Sequence, residues 1–195
     1  YGGVAAADVA AVQAESQRHP GDALIDARLA HGPWLLVDLL HRWRTGELRF
    51  DLRAVVSNHP DARAYVEHHG VAFHEVAVPS DAEGKAVAFA RVERLLETEA
   101  ADLVVLARYM QVLPPALCQR YAGRILNIHH SFLPSFAGGQ PYRQAFERGV
   151  KLVGATSHFV TPTLDEGPII EQDVVRVDHG DTAEDMIRLG RDVEK

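Results

Sequence analysis

The 195 residues, 47% of them hydrophobic, suit one cored domain or a domain with a further fragment, and a formal net charge of −7 offers no global attraction to phosphate backbones or anionic lipid. Neither nucleic acid nor a membrane surface is an expected partner. No apolar run approaches the ~20 residues that cross a bilayer, "YGGVAAADVAAVQAESQRHPGD" lacks the basic start and compact apolar block of an export signal, and Cys118 is the single cysteine, so a cytoplasmic setting is expected.

In chain order, "VAAADVAAVQAES" has the composition of a helix, while "RHPGDALIDARLAHGP" offers neither a strand nor a Gly-rich loop before the helix "PWLLVDLLHRW". From about residue 50, short β-branched runs alternate with longer helical patterns. Strands are predicted at "LRAVVS" (Leu52 to Ser57), "VAFHEV" (Val71 to Val76), "LVVLA" (Leu103 to Ala107), "RILNI" (Arg124 to Ile128), "VGATSHFV" (Val153 to Val160) and "IIEQDVVRV" from Ile169. Helices are predicted over "DAEGKAVAFARVERLLETEA", over "PYRQAFERG" with Pro141 near its start and Gly149 past its end, and in the tail after a cap at Asp181 or Thr182. The alternation predicts an α/β fold, Rossmann-like and doubly wound, with a mostly parallel sheet.

The stretch "NIHHSFLPSF" sets an amide and two imidazoles at the end of an apolar strand. Strand side chains alternate, so Asn127 and His129 share one face where "RILNI" gives way to a loop. Open α/β sheets bind ligands beyond the carboxyl ends of their strands. A second polar group arrives with "SHFVTPTLDEGPII", which carries His158 on a strand and Asp165 in the loop beyond it. His moves a proton near neutral pH, a carboxylate orients its ring, and an Asn amide donates to an oxyanion, so Asn127, His129 and Asp165 form a catalytic candidate for acyl chemistry with water or an amine as nucleophile. Singly, each has a bland reading: a strand-end amide, a half-buried histidine, a turn-forming aspartate.

A metal centre at His129, His130 and His158 is the rival. Tandem histidines on a strand point to opposite faces, and no H-E-x-x-H or cysteine pair accompanies them, so no metal is expected. His68 and His69 in "YVEHHG" are expected to face solvent. Gly138 and Gly139 lack phosphate-loop spacing and are expected to let a mouth loop turn tightly. Tyr109 and Met110 either line a pocket for a flat ligand or fill core.

From about Val37 to Asp185 the chain resembles the deformylase branch of the folate-dependent formyltransferase family. The resemblance is carried by "DLLHRWRTGEL", "VVSNHPD", "DLVVLARYMQVL", "RILNIHHSFLPSF" and "GATSHFVTPTLDEGPIIEQDV", in that order. The family's Asn-x-His and distant Asp fall on Asn127, His129 and Asp165, with 38 positions between Asn and Asp. The resemblance implies hydrolysis of 10-formyltetrahydrofolate to formate and tetrahydrofolate without an added cofactor. It implies substrate-binding roles for Arg108, Tyr109, Met110, His130, His158, Leu164, Glu166 and Gly167, and a homo-oligomer acting on a small folate. It further implies that 1–32 are the remnant of an N-terminal ACT-like regulatory region or a linker, that 33–195 form the catalytic domain, and that the carboxyl-terminal end is incomplete. The transferase branch reads Asn-Ile-His-Pro where this chain has His130, and carries a Gly-rich phosphate loop that is not visible here. A transferase such as a glycinamide ribonucleotide formyltransferase, or a catalytically silent folate sensor, is the alternative.

Overall fold

The computed structural model describes the strand at 9–13 together with residues 34–136 and 141–194. It comprises two units, Tyr1–Leu113 and Pro114–Lys195. Unit 1 runs β1 (Val9–Gln13), α1 (Trp34–Arg44), β2 (Ala54–Ser57), α2 (Arg63–His68), β3 (Ala72–Glu75), α3 (Ala82–Thr98) and β4 (Leu103–Ala107). Its strands lie in the order β3-β2-β1-β4, and every pair is parallel. This is the mostly parallel α/β architecture that the alternating pattern predicts.

β2 is buried at all four positions, as expected of a continuous apolar run in a parallel sheet. Helix α3 buries Ala88, Phe89, Val92 and Leu96 along one stripe. Each of its larger side chains contributes roughly 1.5–3 kcal/mol on burial. The Asp81 carboxylate starts this helix by accepting from the Gly84 N–H at 2.7 Å.

The helix expected over "VAAADVAAVQAES" is corrected at Val9–Gln13, which form β1 between β2 and β4. Alanine favours helix in isolation, but parallel partners on both sides override so weak a preference. β1 falls within the stretch expected to be a regulatory remnant or linker. The rest of 1–32 lies outside the described residues.

Unit 2 runs α4 (Pro115–Arg120), β5 (Ile125–His129), α5 (Pro141–Glu147), β6 (Leu152–Phe159), β7 (Ile169–Arg176) and α6 (Ala183–Val193). Here both strand pairs, β5 with β6 and β6 with β7, are antiparallel. The β6 to β7 connection is too short for a parallel crossover, which takes about a dozen residues or more. The hydrophobic core of this unit joins Tyr142 and Ala145 of α5, Val153 of β6, Val177 just after β7, and Met186 of α6.

α6 begins at the predicted cap, where the Thr182 hydroxyl accepts from the Asp185 N–H and the Asp185 side chain returns a bond to the Thr182 N–H. Those bonds, with help from Arg188, hold the Asp185 carboxyl below the usual carboxylate range. No helix among the described residues is long and apolar enough to cross a membrane.

Candidate active site

The pairing of β5 with β6 sets Asn127 opposite His158 and His129 opposite Thr156, and the pairing of β6 with β7 continues the second row to Gln172. Directly opposed residues, and residues two apart on a strand, share a face. One face of this three-stranded sheet therefore carries Asn127, His129, Thr156, His158 and Gln172. Asp165 reaches the same group from the β6–β7 loop.

The Asn127 side-chain nitrogen lies 3.2 Å from His158 Nε2, and His158 Nδ1 lies 2.9 Å from the Phe159 carbonyl oxygen. A carbonyl only accepts, so Nδ1 carries the proton and Nε2 accepts from the amide. This fixes which end of the Asn127 side chain faces His158, and it keeps one amide N–H for another acceptor. His158 is 2% exposed. The residue predicted to bind substrate is thus the anchor of Asn127.

His129 is 5% exposed, and its Nδ1 lies 3.6 Å from an Asp165 carboxylate oxygen. Burial lowers its pKa, and His158 adds to that effect, whereas the Asp165 carboxylate and the Phe136 backbone carbonyl raise it. Burial wins, so the imidazole is held below its ordinary value, which favours the neutral form. Its Nε2 is buried and has no hydrogen-bond partner among the described residues. The Asp165 carboxylate on the Nδ1 side favours the proton there, which leaves the lone pair on Nε2. A buried neutral base of this kind is what proton abstraction from water or an amine requires.

Asp165 sits at φ 56, a left-handed conformation that aspartate tolerates better than most residues with a Cβ. Two residues on, Gly167 is in contact with the Phe159 backbone; a Cβ there would collide with the same carbonyl oxygen that His158 holds. Gly167, predicted as a substrate contact, is thus required by close backbone approach. Leu164 and Glu166, from the same loop, are exposed.

β5 ends at His129, so the strand alternation expected for the tandem histidines does not extend to His130. Their rings lie 5.4 Å apart, and His130 also packs 6.1 Å from the Tyr142 ring. Among the described residues, no group of three His, Cys, Asp or Glu side chains converges to hold an ion.

In unit 1, Arg108 follows β4 at φ 56 with its guanidinium 5.8 Å from the Trp34 ring centre. Tyr109 is buried, and Met110 is 43% exposed. His68 faces solvent as expected, but His69 does not: both of its ring nitrogens are buried without a hydrogen-bond partner among the described residues, and its ring meets Tyr65 edge-on at 4.7 Å. Gly138 and Gly139 lie outside the described residues.

Sequence reasoning missed Thr156 and Gln172. Thr156 is fully buried; its hydroxyl donates to the Ser131 carbonyl at 2.8 Å and accepts from the Leu133 N–H and the Gln172 amide, both at 3.0 Å. The available signal was Thr156 two positions before His158 on a strand, which places both on one face.

An antiparallel strand pair bearing an amide and a buried imidazole, with a carboxylate behind the imidazole, is an arrangement with the groups that acyl transfer needs. In agreement, the model of the formyl transferase family matches residues 29–195, and the chain belongs to that family. It is 52% identical over 160 residues to a formyltetrahydrofolate deformylase of Mycobacterium tuberculosis, covering 82% of this chain and 51% of that protein. The crystal structure of a formyltetrahydrofolate deformylase from Pseudomonas syringae superposes with a TM-score of 0.82 at 52% identity, over 96% of this chain and 57% of that one. A glycinamide ribonucleotide transformylase from Symbiobacterium toebii is similar at 32% identity and a TM-score of 0.78, over 96% of this chain and 82% of that one. The chain spans about half the length of the curated relatives it matches.

Proposed function

We propose that this chain is the catalytic part of a formyltetrahydrofolate deformylase, which hydrolyses 10-formyltetrahydrofolate to formate and tetrahydrofolate. The observation that carries the reading is the buried His129, whose Nε2 has no hydrogen-bond partner among the described residues, beside Asp165 and on one face with Asn127. The deformylase relatives, at about half identity, supply the substrate.

In this mechanism His129 Nε2 takes a proton from a water molecule as the water oxygen bonds to the formyl carbon. The carbonyl electrons move onto oxygen, and the amide N–H of Asn127 not used by His158 donates to that oxyanion. Asp165 stabilises the imidazolium that forms. As the intermediate collapses, the carbon–nitrogen bond breaks and the imidazolium returns its proton to the departing folate nitrogen, giving tetrahydrofolate and formic acid, which releases its remaining acidic proton to solvent as formate. Water and one histidine balance every proton, so no cofactor is needed.

Arg108, Tyr109, Met110, His130, Leu164 and Glu166 are proposed to contact the folate. The catalytic body is placed at 33–195, with 1–32 as a regulatory remnant or linker; the pairing of β1 with β2 and β4 argues that Val9–Gln13 belong with the catalytic sheet. A cytoplasmic homo-oligomer that binds neither nucleic acid nor membrane completes the reading.

The acceptor is tested by turnover in water enriched in oxygen-18. One heavy oxygen in each formate released establishes water as the nucleophile; consumption of the folate without labelled formate refutes it. The lowered pKa of His129 makes a second prediction. Because the base works when neutral, kcat/KM is full above its pKa and falls as pH drops through it, with a midpoint below the ordinary histidine value of about 6.5. A limb centred above that value contradicts the assignment.

A further inference from the structure

The turn at 131–135 leaves directly from His129 at the end of β5. It is tied to β6 and β7. Thr156 Oγ1 donates to the Ser131 carbonyl and accepts from the Leu133 N–H. The Gln172 side-chain nitrogen donates twice, to the Leu133 carbonyl at 2.9 Å and to Thr156 Oγ1 at 3.0 Å. Within the turn, the Ser131 hydroxyl donates to the Ser135 carbonyl at 3.0 Å. Phe136 comes next, at φ 58.

Gln172, Thr156 and His129 also stand in one row across β7, β6 and β5. We propose that Gln172 is a positioning residue: through Thr156 and the 131–135 turn, it fixes the backbone that leaves His129 and so holds the ring with Nδ1 toward Asp165, the proton on Nδ1 and the reactive lone pair on Nε2. A Gln amide suits the task because both of its N–H groups are used, one on a carbonyl and one on a hydroxyl. Asp165 approaches His129 Nδ1 at 3.6 Å, just beyond hydrogen-bond length, so a small displacement of the ring decides whether the carboxylate selects the tautomer. The kinetic consequence rests on the hydrolase reading; the tautomer does not.

Two readouts test the proposal in the unliganded chain and in turnover. Long-range proton–nitrogen NMR of the His129 ring reports which nitrogen carries the proton. The wild type is expected to show a single Nδ1–H form, and Gln172→Leu a mixture of the two tautomers. The same variant is expected to lose up to about 100-fold in kcat, the cost of about 1 Å of misplacement, with little change in KM. Thr156→Val approaches the turn from the other side and is expected to mix the tautomers too, whereas Thr156→Ser keeps the hydroxyl and the single form. These two variants decide the matter if Gln172→Leu does not fold. An unchanged Nδ1–H form in both Gln172→Leu and Thr156→Val, or a fall in thermal stability alone, overturns the proposal. Mixed tautomers in a chain whose wild type never releases formate refute the hydrolase reading and sustain the positioning role.

Discussion

Replacing Asp165 with Asn is expected to lower kcat for formate release by about 1,000- to 10,000-fold while substrate affinity stays within a few-fold of wild type. The magnitude is the one seen when the orienting carboxylate of a catalytic histidine is made neutral in serine proteases. The substitution is clean for two reasons. Asn matches Asp in shape, and it is among the few residues that accept the left-handed backbone, here φ 56. What it removes is the charge that raises the His129 pKa and stabilises the imidazolium. The His129 midpoint, followed by NMR in the unliganded chain, is accordingly expected to fall further in the variant. Steady-state formate release and equilibrium folate binding separate the outcomes: equal losses in binding and turnover contradict the assigned role.

Gly167→Ala is expected to destabilise the fold by about 3 kcal/mol or more and to remove activity with it, the upper range for an overpacked site. The added methyl meets the backbone carbonyl of Phe159, which is tied down by three neighbours and has no free end to swing aside. His158 Nδ1 donates to that carbonyl, the Phe159 N–H donates to the Pro168 carbonyl at 2.9 Å, and the Val160 N–H donates to the Ile125 carbonyl at 2.9 Å. Any shift moves the loop that bears Asp165 and releases His158 from Asn127. Glu166→Ala, one residue earlier and exposed, is the control, with an expected stability change within about 0.5 kcal/mol. Chemical denaturation measures both; a Gly167→Ala protein as stable as wild type contradicts the packing described here.

The two substitutions divide the site into what sequence displays and what only pairing creates. Strands such as Leu103–Ala107 were legible because a short β-branched run between turn signals has few other uses. Asn127 and His129 were legible as one-face neighbours because strand side chains alternate. β1 was not, since "VAAVQ" has helical composition and becomes a strand only between two parallel partners. The antiparallel course of β6 and β7 was hidden too, because an apolar run carries no direction. The bond from Asn127 to His158 depends on a register between residues 31 positions apart, and the roles of Thr156 and Gln172 on a row across three strands. Periodicity places a side chain on a face; long-range register decides what it meets there.

The most direct measurement is the product balance when the 195-residue chain is given 10-formyltetrahydrofolate, first alone and then with glycinamide ribonucleotide. Water attack at His129 predicts one formate for each tetrahydrofolate formed in the first reaction and no change in formate on adding the amine. Formate that appears in neither reaction, with a formylated amine accumulating in the second, contradicts it and identifies a transferase.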